Sequence, residues 1–294
     1  MIKRTVTISK PSKLSVKLDQ MIIEQEGKVV GTIPVEDIGV LLVEHPAVLY
    51  TQGCLSALME NNAAVIVCSK NRHPHGLFLP LDTNELQSER FRHQIEVSLP
   101  IKKQLWKQTV QAKIKNQARL LDHLGQESGR LKDLAQKVQS GDTGNVEAQA
   151  ARYYWPNLLG KAFRRERAGS PPNNLLNYGY MVIRAAVARA LVSSGLLPTL
   201  GLHHKNRYNA YCLADDIMEP FRPLVDRVVV DLKNNHDNLD ELTPEIKKRL
   251  LEVLTKDVCF GKTRSPMMVG LHRTSASLHR CFAGEQSKLE FPEF

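Results

Sequence analysis

Two adjacent imidazoles, His203 and His204, stand shortly before three carboxylates, Asp215, Asp216 and Glu219, in the stretch GLHHKNRYNAYCLADDIMEPFRP at residues 201–223. Carboxylates and imidazoles are the side chains that hold divalent cations near neutral pH. Such a cation can act as a Lewis acid and as a template for a bound group. A helix beginning near Asn209 puts Asp216 and Glu219 at i and i+3, and Asp215 and Glu219 at i and i+4, so that the carboxylates share a face and form one wall of a cation site. Pro220 and Pro223 constrain the backbone around Arg222, where the acidic run ends. The same spacing also describes a solvated helix face, and the pattern alone leaves both readings open. A further carboxylate, Glu147, follows Asn145, which is placed to cap a helix in SGDTGNVEAQAARYYWPNLLG. An acid in a first helical turn suits the helix dipole with or without a catalytic role. Without a metal the acidic cluster repels itself, so removing Glu219 is expected to leave the fold as stable or more so.

The elements that must position these residues change character along the chain. RTVTIS and LSVKL alternate as strands do, QMIIEQEGKVVGTI reads as a hairpin turning at Glu26-Gly27, and IGVLLV and AAVIVC are runs of buried strand. One helical pattern, QGCLSALMENN, lies between the last two. Past the Pro- and His-rich NRHPHGLFLPL the apolar period changes from two to 3.6. Ile101, Leu105, Val110, Ile114, Leu121 and Leu124 then fall near helical spacing, while Lys102, Lys103, Lys107, Lys113, Lys115 and Arg119 decorate the rest, with no acidic residue from 101 to 119. NNLLNYGYMVIRAAVARALVSSG is apolar on most sides, as the central helix of a bundle would be. The chain therefore reads as α+β: a β-rich domain with one helix over residues 1–75, a linker over 76–100, and a larger all-α domain over 101–294.

The chain of 294 residues is long enough for two ordinary cores. Its formal charge of +9 is uneven: residues 1–75 carry 8 Lys and Arg against 7 Asp and Glu, whereas residues 76–294 carry 32 against 24. The helical part is thus the expected binder of a polyanion. Five widely spaced cysteines with no C-x-x-C pair argue against a disulfide framework or a cysteine zinc site and suit a reducing cytoplasm. The N-terminus lacks the apolar core of a signal peptide, and the most apolar long window holds Arg184, Arg189 and Pro198, which argues against a membrane span. No G-x-S-x-G elbow points to a serine hydrolase.

GNVEAQAARYYW, NNLLNYGYMVIRAAVARAL, LGLHHKNRYNAYCLADDIMEPFRP and TSASLHRCFAGEQSKLEFPEF, in this order behind a small β-rich domain, resemble the universal CRISPR-associated spacer-acquisition integrase. The wording around HHKNRYNAYCLADDIMEPFRP is similar to members from type II loci. The resemblance spans nearly the whole chain. It implies an N-terminal β-sandwich-like domain that dimerises, joined by a linker to an all-α catalytic domain. It also implies joining of the 3′-hydroxyl ends of a short protospacer duplex to the ends of a CRISPR repeat by transesterification. The metal ligands it implies are Glu147, in an E-x-x-A-A-R-like helix, His204, three residues after Gly201, and Glu219, three after Asp216, with Asp216 supporting them. His203 stands where the family more often has an apolar residue. Oxygen ligands with one imidazole suit magnesium or manganese. Arg152, Arg164, Arg165, Lys205 and Arg207 flank these ligands and are expected to hold DNA, while Tyr153, Tyr154 and Trp155 either stack on bases or fill the core. The implied partners are DNA, a second copy of the chain, a small ferredoxin-like companion subunit and, further, the effector nuclease of the locus. Two alternatives remain: a metal-dependent nuclease that cuts branched or free DNA without joining, and a non-catalytic DNA scaffold.

Overall fold

A computed structural model describes residues 3–70, 74–166, 168–236 and 238–293. Strands and one helix come first: β1 (Arg4–Ile8), β2 (Lys13–Lys17), β3 (Gln20–Gln25), β4 (Lys28–Pro34), β5 (Ile38–Val43), β6 (Leu49–Tyr50), α1 (Gln52–Glu60), β7 (Ala64–Cys68) and β8 (Pro74–Phe78). They form two four-stranded sheets, ordered β1-β5-β7-β8 and β4-β3-β2-β6. The β3–β4 hairpin turns at Glu26 and Gly27, whose φ values of 50° and 75° give the left-handed pair that matches strand twist.

Every residue of β5 is buried because its sheet is covered on both sides. Ile38, Leu41, Val43 and Val65 share a core with Leu14 and Met21 of the second sheet and Leu58 of α1. Val40, Leu42, Ala64 and Ile66 belong instead to the core of the helical region. The period of two in a strand thus distributes one apolar run between two cores.

The remaining elements are α2 (Gln87–Glu96), α3 (Leu99–His123), α4 (Gly129–Lys137), α5 (Val146–Leu159), α6 (Asn173–Ser193), α7 (Cys212–Met218), α8 (Arg222–Asn235), α9 (Pro244–Leu251), β9 (Asp257–Phe260), β10 (Thr263–Pro266) and α10 (Met267–Phe282). The molecule is therefore mixed α and β, with sheets first and helices after. α6 is long and apolar enough to cross a membrane, yet 78% of its most apolar window is buried, as in a core helix. It passes against β7, β8, α7, α8, α9 and α10. All five cysteines are free.

Two expectations need revision. The segment 76–100 is not a bare linker: it completes β8 and then forms α2, whose Arg90 Nη1 donates to Ser194 O at 2.9 Å and whose Gln94 Nε2 donates to Leu197 O at 2.9 Å. These bonds fasten α2 to the end of α6, so the run between sheet and helices is ordered by both. The later part is not all-α, because β9 and β10 pair antiparallel around Gly261, at a φ of 59°, and Cys259 bridges back to Glu293. Residues 71–73 of the Pro- and His-rich stretch lie outside the described residues.

Candidate functional site

Glu147 enters the site from the first turn of α5. Asn145 was expected to cap this helix, but it sits at φ 49°, ψ 43° and its side chain makes no cap bond. Asp142 does so instead, its Oδ1 accepting from Val146 N at 2.9 Å and its Oδ2 from Glu147 N at 3.1 Å. A left-handed Asn145 folds the chain back so that a carboxylate further upstream reaches the free amides.

Glu219 comes from the 3₁₀ turn Glu219–Phe221 between α7 and α8 and is buried, its side chain 5% exposed. Its Oε1 receives Arg222 Nη2 at 2.8 Å. Its Oε2 lies 2.5 Å from Lys113 Nζ, and the same ammonium lies 2.5 Å from Glu147 Oε1. The Glu147 contact is an aligned hydrogen bond, whereas the Glu219 Oε2 contact is less well aligned. Burial works against the Glu219 carboxylate, but Arg222 and Lys113 outweigh it and hold its pKa below the ordinary value. Burial likewise disfavours the Lys113 ammonium, and Glu219 and Glu147 overcome it and raise the pKa. The expectation that Glu219 sits in self-repelling acid is therefore overturned: its neighbours are two cations, and removing it leaves them buried without it.

His204 lies on the loop before α7. Asp216, fully buried, organises that loop: Oδ2 accepts from Leu202 N at 2.6 Å and His203 N at 2.9 Å, and Oδ1 meets His204 Nδ1 at 2.5 Å. Gly201 permits this close packing, since a Cβ there would stand 2.5 Å from His204 O and 2.9 Å from Asp216 Oδ2. The hydrogen bond that His204 Nδ1 donates to Asp216 raises the His204 pKa and leaves Nε2 as the ring nitrogen free for another partner. His203 does not share this environment. Its ring stacks on Trp106 of α3, centroids 4.4 Å apart and planes 4° from parallel.

α7 begins at Cys212, not near Asn209, and the three carboxylates do not share one role. Asp215 binds Arg184 Nε at 2.8 Å and Asn209 Nδ2 at 2.6 Å, Asp216 turns under the histidine loop, and Glu219 alone meets Lys113. The 3₁₀ turn after Met218 departs from ideal helical projection, so spacing along the sequence did not translate into a common wall.

Arg222 also stacks on Tyr180, 4.6 Å from the ring centre, and beyond it Asp226 accepts from Tyr180 and, at 2.7 Å, from Tyr154. Burial raises the Asp226 pKa to about 6, despite both hydroxyls. The folded state therefore binds its proton more tightly than the unfolded chain does. This group's contribution to stability is complete below the ordinary carboxylate pKa and is lost as pH rises to about 6, an effect of about 3 kcal/mol. Asp226→Asn should flatten the stability profile between pH 4 and 6, as measured by denaturant unfolding at stepped pH.

Arg165, Tyr180, Arg184, Tyr208, Asp215 and Arg222 line a cleft of about 910 Å³ that reaches the Glu219 network through Arg222. Of the five basic residues expected to hold DNA, Arg165 lines this cleft, and Arg207 stands beside it with its guanidinium over the Tyr208 ring. Lys205 and Arg164 are exposed, Arg164 donating to the carbonyls of Lys161 and Phe163. Arg152 lies apart, in a pocket with Arg130 and Tyr153. Tyr154 is core, and Trp155 packs between it and Phe163.

Among the described residues, no three His, Cys, Asp and Glu side chains stand together as a metal cage. The donor set nonetheless fits a hard divalent cation: two carboxylates converge on one ammonium, and an oriented imidazole is close enough to act on Glu219 electrostatically. Lys113 and Arg222 went unassigned from the sequence. The signal was there for Lys113, which falls in the stripe of Trp106, Val110 and Gln117, all buried positions of α3.

A profile of the family described as "CRISPR associated protein Cas1" matches residues 6–245. The CRISPR-associated endonuclease Cas1 of Neisseria meningitidis serogroup C (strain 8013) is 39% identical over 293 residues, 99% of this chain and 96% of that protein. Among solved structures, a casposase bound to integration product superposes with a TM-score of 0.79 at 20% identity, over 99% of this chain and 93% of that one. A Cas6-RT-Cas1–Cas2 complex gives 0.74 at 20% identity, over 98% of this chain and 36% of that one. The two structures carry the likeness in fold.

Proposed function

The chain belongs to the Cas1 family, and on that premise we propose that it is a metal-dependent DNA integrase of CRISPR adaptation that joins 3′-hydroxyl ends of short duplexes to the ends of a repeat. The observation that carries this reading is the convergence of Glu147 and Glu219 on the Lys113 ammonium, 2.5 Å from each, with Arg222 joining Glu219 to a cleft lined with arginine and tyrosine.

In the joining step a new bond forms between the 3′-oxygen and phosphorus, the resident P–O bond breaks, and the proton of the attacking hydroxyl is lost while the departing oxygen gains one. Glu147, Glu219 and Nε2 of His204 would hold a magnesium or manganese ion, which when bound supplies Lewis acidity to the attacking and departing oxygens. Asp216 fixes the His204 ring and so presents Nε2. Arg222 anchors Oε1 of Glu219, while Oε2 faces Lys113. Arg165, Arg184 and Tyr208 offer guanidinium and ring faces to a strand lying in the cleft. The strand-rich part is proposed as a sandwich-like dimerisation module. The partners proposed are DNA, a second copy, the small ferredoxin-like companion subunit and the effector nuclease of the locus.

The test is incubation with a supercoiled repeat-bearing plasmid and a short duplex in magnesium or manganese. Covalently joined products support the integrase, nicking alone supports a nuclease, and no metal-dependent change supports a scaffold. DNA affinity should also fall steeply with salt. Replacing Lys205 and Arg207 with Gln should make the slope of log affinity against log salt shallower by about 0.9 for each phosphate left without its cation, as measured by fluorescence anisotropy. An unchanged slope removes these two residues from the interface.

A further inference from the structure

Lys113 lies on a helix whose other lysines suit a solvent or DNA face, yet its side chain is only 13% exposed and its ammonium touches both acids proposed as metal ligands. A structural lysine needs one carboxylate, and Glu219 already has a permanent partner in Arg222, through the oxygen Lys113 does not use. The oxygens Lys113 does use are those a divalent ion would bind at roughly 2.0–2.1 Å. An ammonium 2.5 Å from those atoms and a metal cannot occupy this space together, by size and by like charge.

We propose that Lys113 is a resident counter-cation that competes with the divalent ion for Glu147 and Glu219, and that once displaced its ammonium serves as a ligand for a DNA phosphate. The inference rests on the reading of Glu147, Glu219 and His204 as the metal site. Two consequences separate this role from simple stabilisation. The protein without DNA loads metal weakly, because each loading event strips a buried lysine of both its acids. A nearby phosphate relieves that cost, so DNA and metal bind with positive coupling through this one side chain.

The test is manganese titration, with free ion read by electron paramagnetic resonance, of the full chain and of Lys113→Met, with and without a short duplex lacking free 3′-hydroxyls. Without DNA the variant should bind manganese roughly tenfold to a hundredfold more tightly than the parent, and the duplex should tighten the parent more than the variant. Equal or weaker binding by Lys113→Met, or equal coupling in both, overturns the proposal while leaving the metal site standing. Absence of manganese binding in both proteins overturns the metal site and this inference with it. A measurement on the parent chain alone guards against a variant that fails to fold. Lys113 should resist an amine-acylating reagent in chelator and become labelled on adding manganese, as mapped by peptide mass spectrometry, and unchanged labelling argues against displacement.

Discussion

Glu219→Gln should give a folded protein that still binds DNA but joins it roughly a thousandfold more slowly, on the scale of losing one preorganised charge at a reacting centre. The amide keeps the volume of the side chain within the 3₁₀ turn, while the charge that meets Lys113 and Arg222 disappears. Arg222 retains the Tyr180 ring and Lys113 retains Glu147, so both cations keep a partner. Glu219→Ala is a different experiment: it leaves a void among buried charges and should cost about 3–5 kcal/mol of stability. Single-turnover joining, thermal melting and DNA anisotropy on both variants separate the two effects. Wild-type joining by Glu219→Gln would remove this carboxylate from the reaction.

The two neighbouring histidines should behave as unlike residues. His204→Ala is expected to reduce joining by roughly two to three orders of magnitude, because the ring that Asp216 fixes, and with it the proposed Nε2 ligand, is gone. His203→Ala removes a stack on Trp106, worth about 0.5–1.5 kcal/mol, and should appear as a lower melting temperature with joining changed only a few-fold. The His203 loss should not respond to metal concentration. A larger joining defect in His203→Ala that added manganese rescues would mean that the wrong imidazole has been assigned.

Where a signal is local in sequence, it was readable. The Glu26-Gly27 turn, the continuous apolar runs of β5 and β7 and the all-round apolar α6 follow from turn chemistry and from periods of two and 3.6. The β9–β10 pair escaped because its strands are four residues each and carry Asp257, Arg264 and Pro266, so no run stands out from the helices around it. The site divides in the same way. The carboxylates and imidazoles drew attention by type and spacing, but only the resemblance singled out Glu147, His204 and Glu219, with Asp216 supporting them. Their partners could not, because Lys113 approaches Glu219 across 106 positions of chain and Arg184 approaches Asp215 across 31. A lysine within an apolar helical stripe and an aspartate three residues before a left-handed asparagine are weak signs alone, and only the fold shows what each one meets.

The sheet built on β5 and β7 is a party wall. Val40, Leu42, Ala64 and Ile66 on one side serve the helical core, and Leu41, Val43 and Val65 on the other serve the strand-rich one, so neither core is complete without the same few residues. Cutting the chain before α2 would strip that wall of its cover and leave an apolar sheet face prone to self-association, so the first seventy-eight residues should not survive as a soluble fragment. The same reasoning applies to descent. A strand-rich part exchanged between relatives must bring helix-facing side chains that fit the foreign α6, and the two parts are therefore expected to change together, one facing pair at a time.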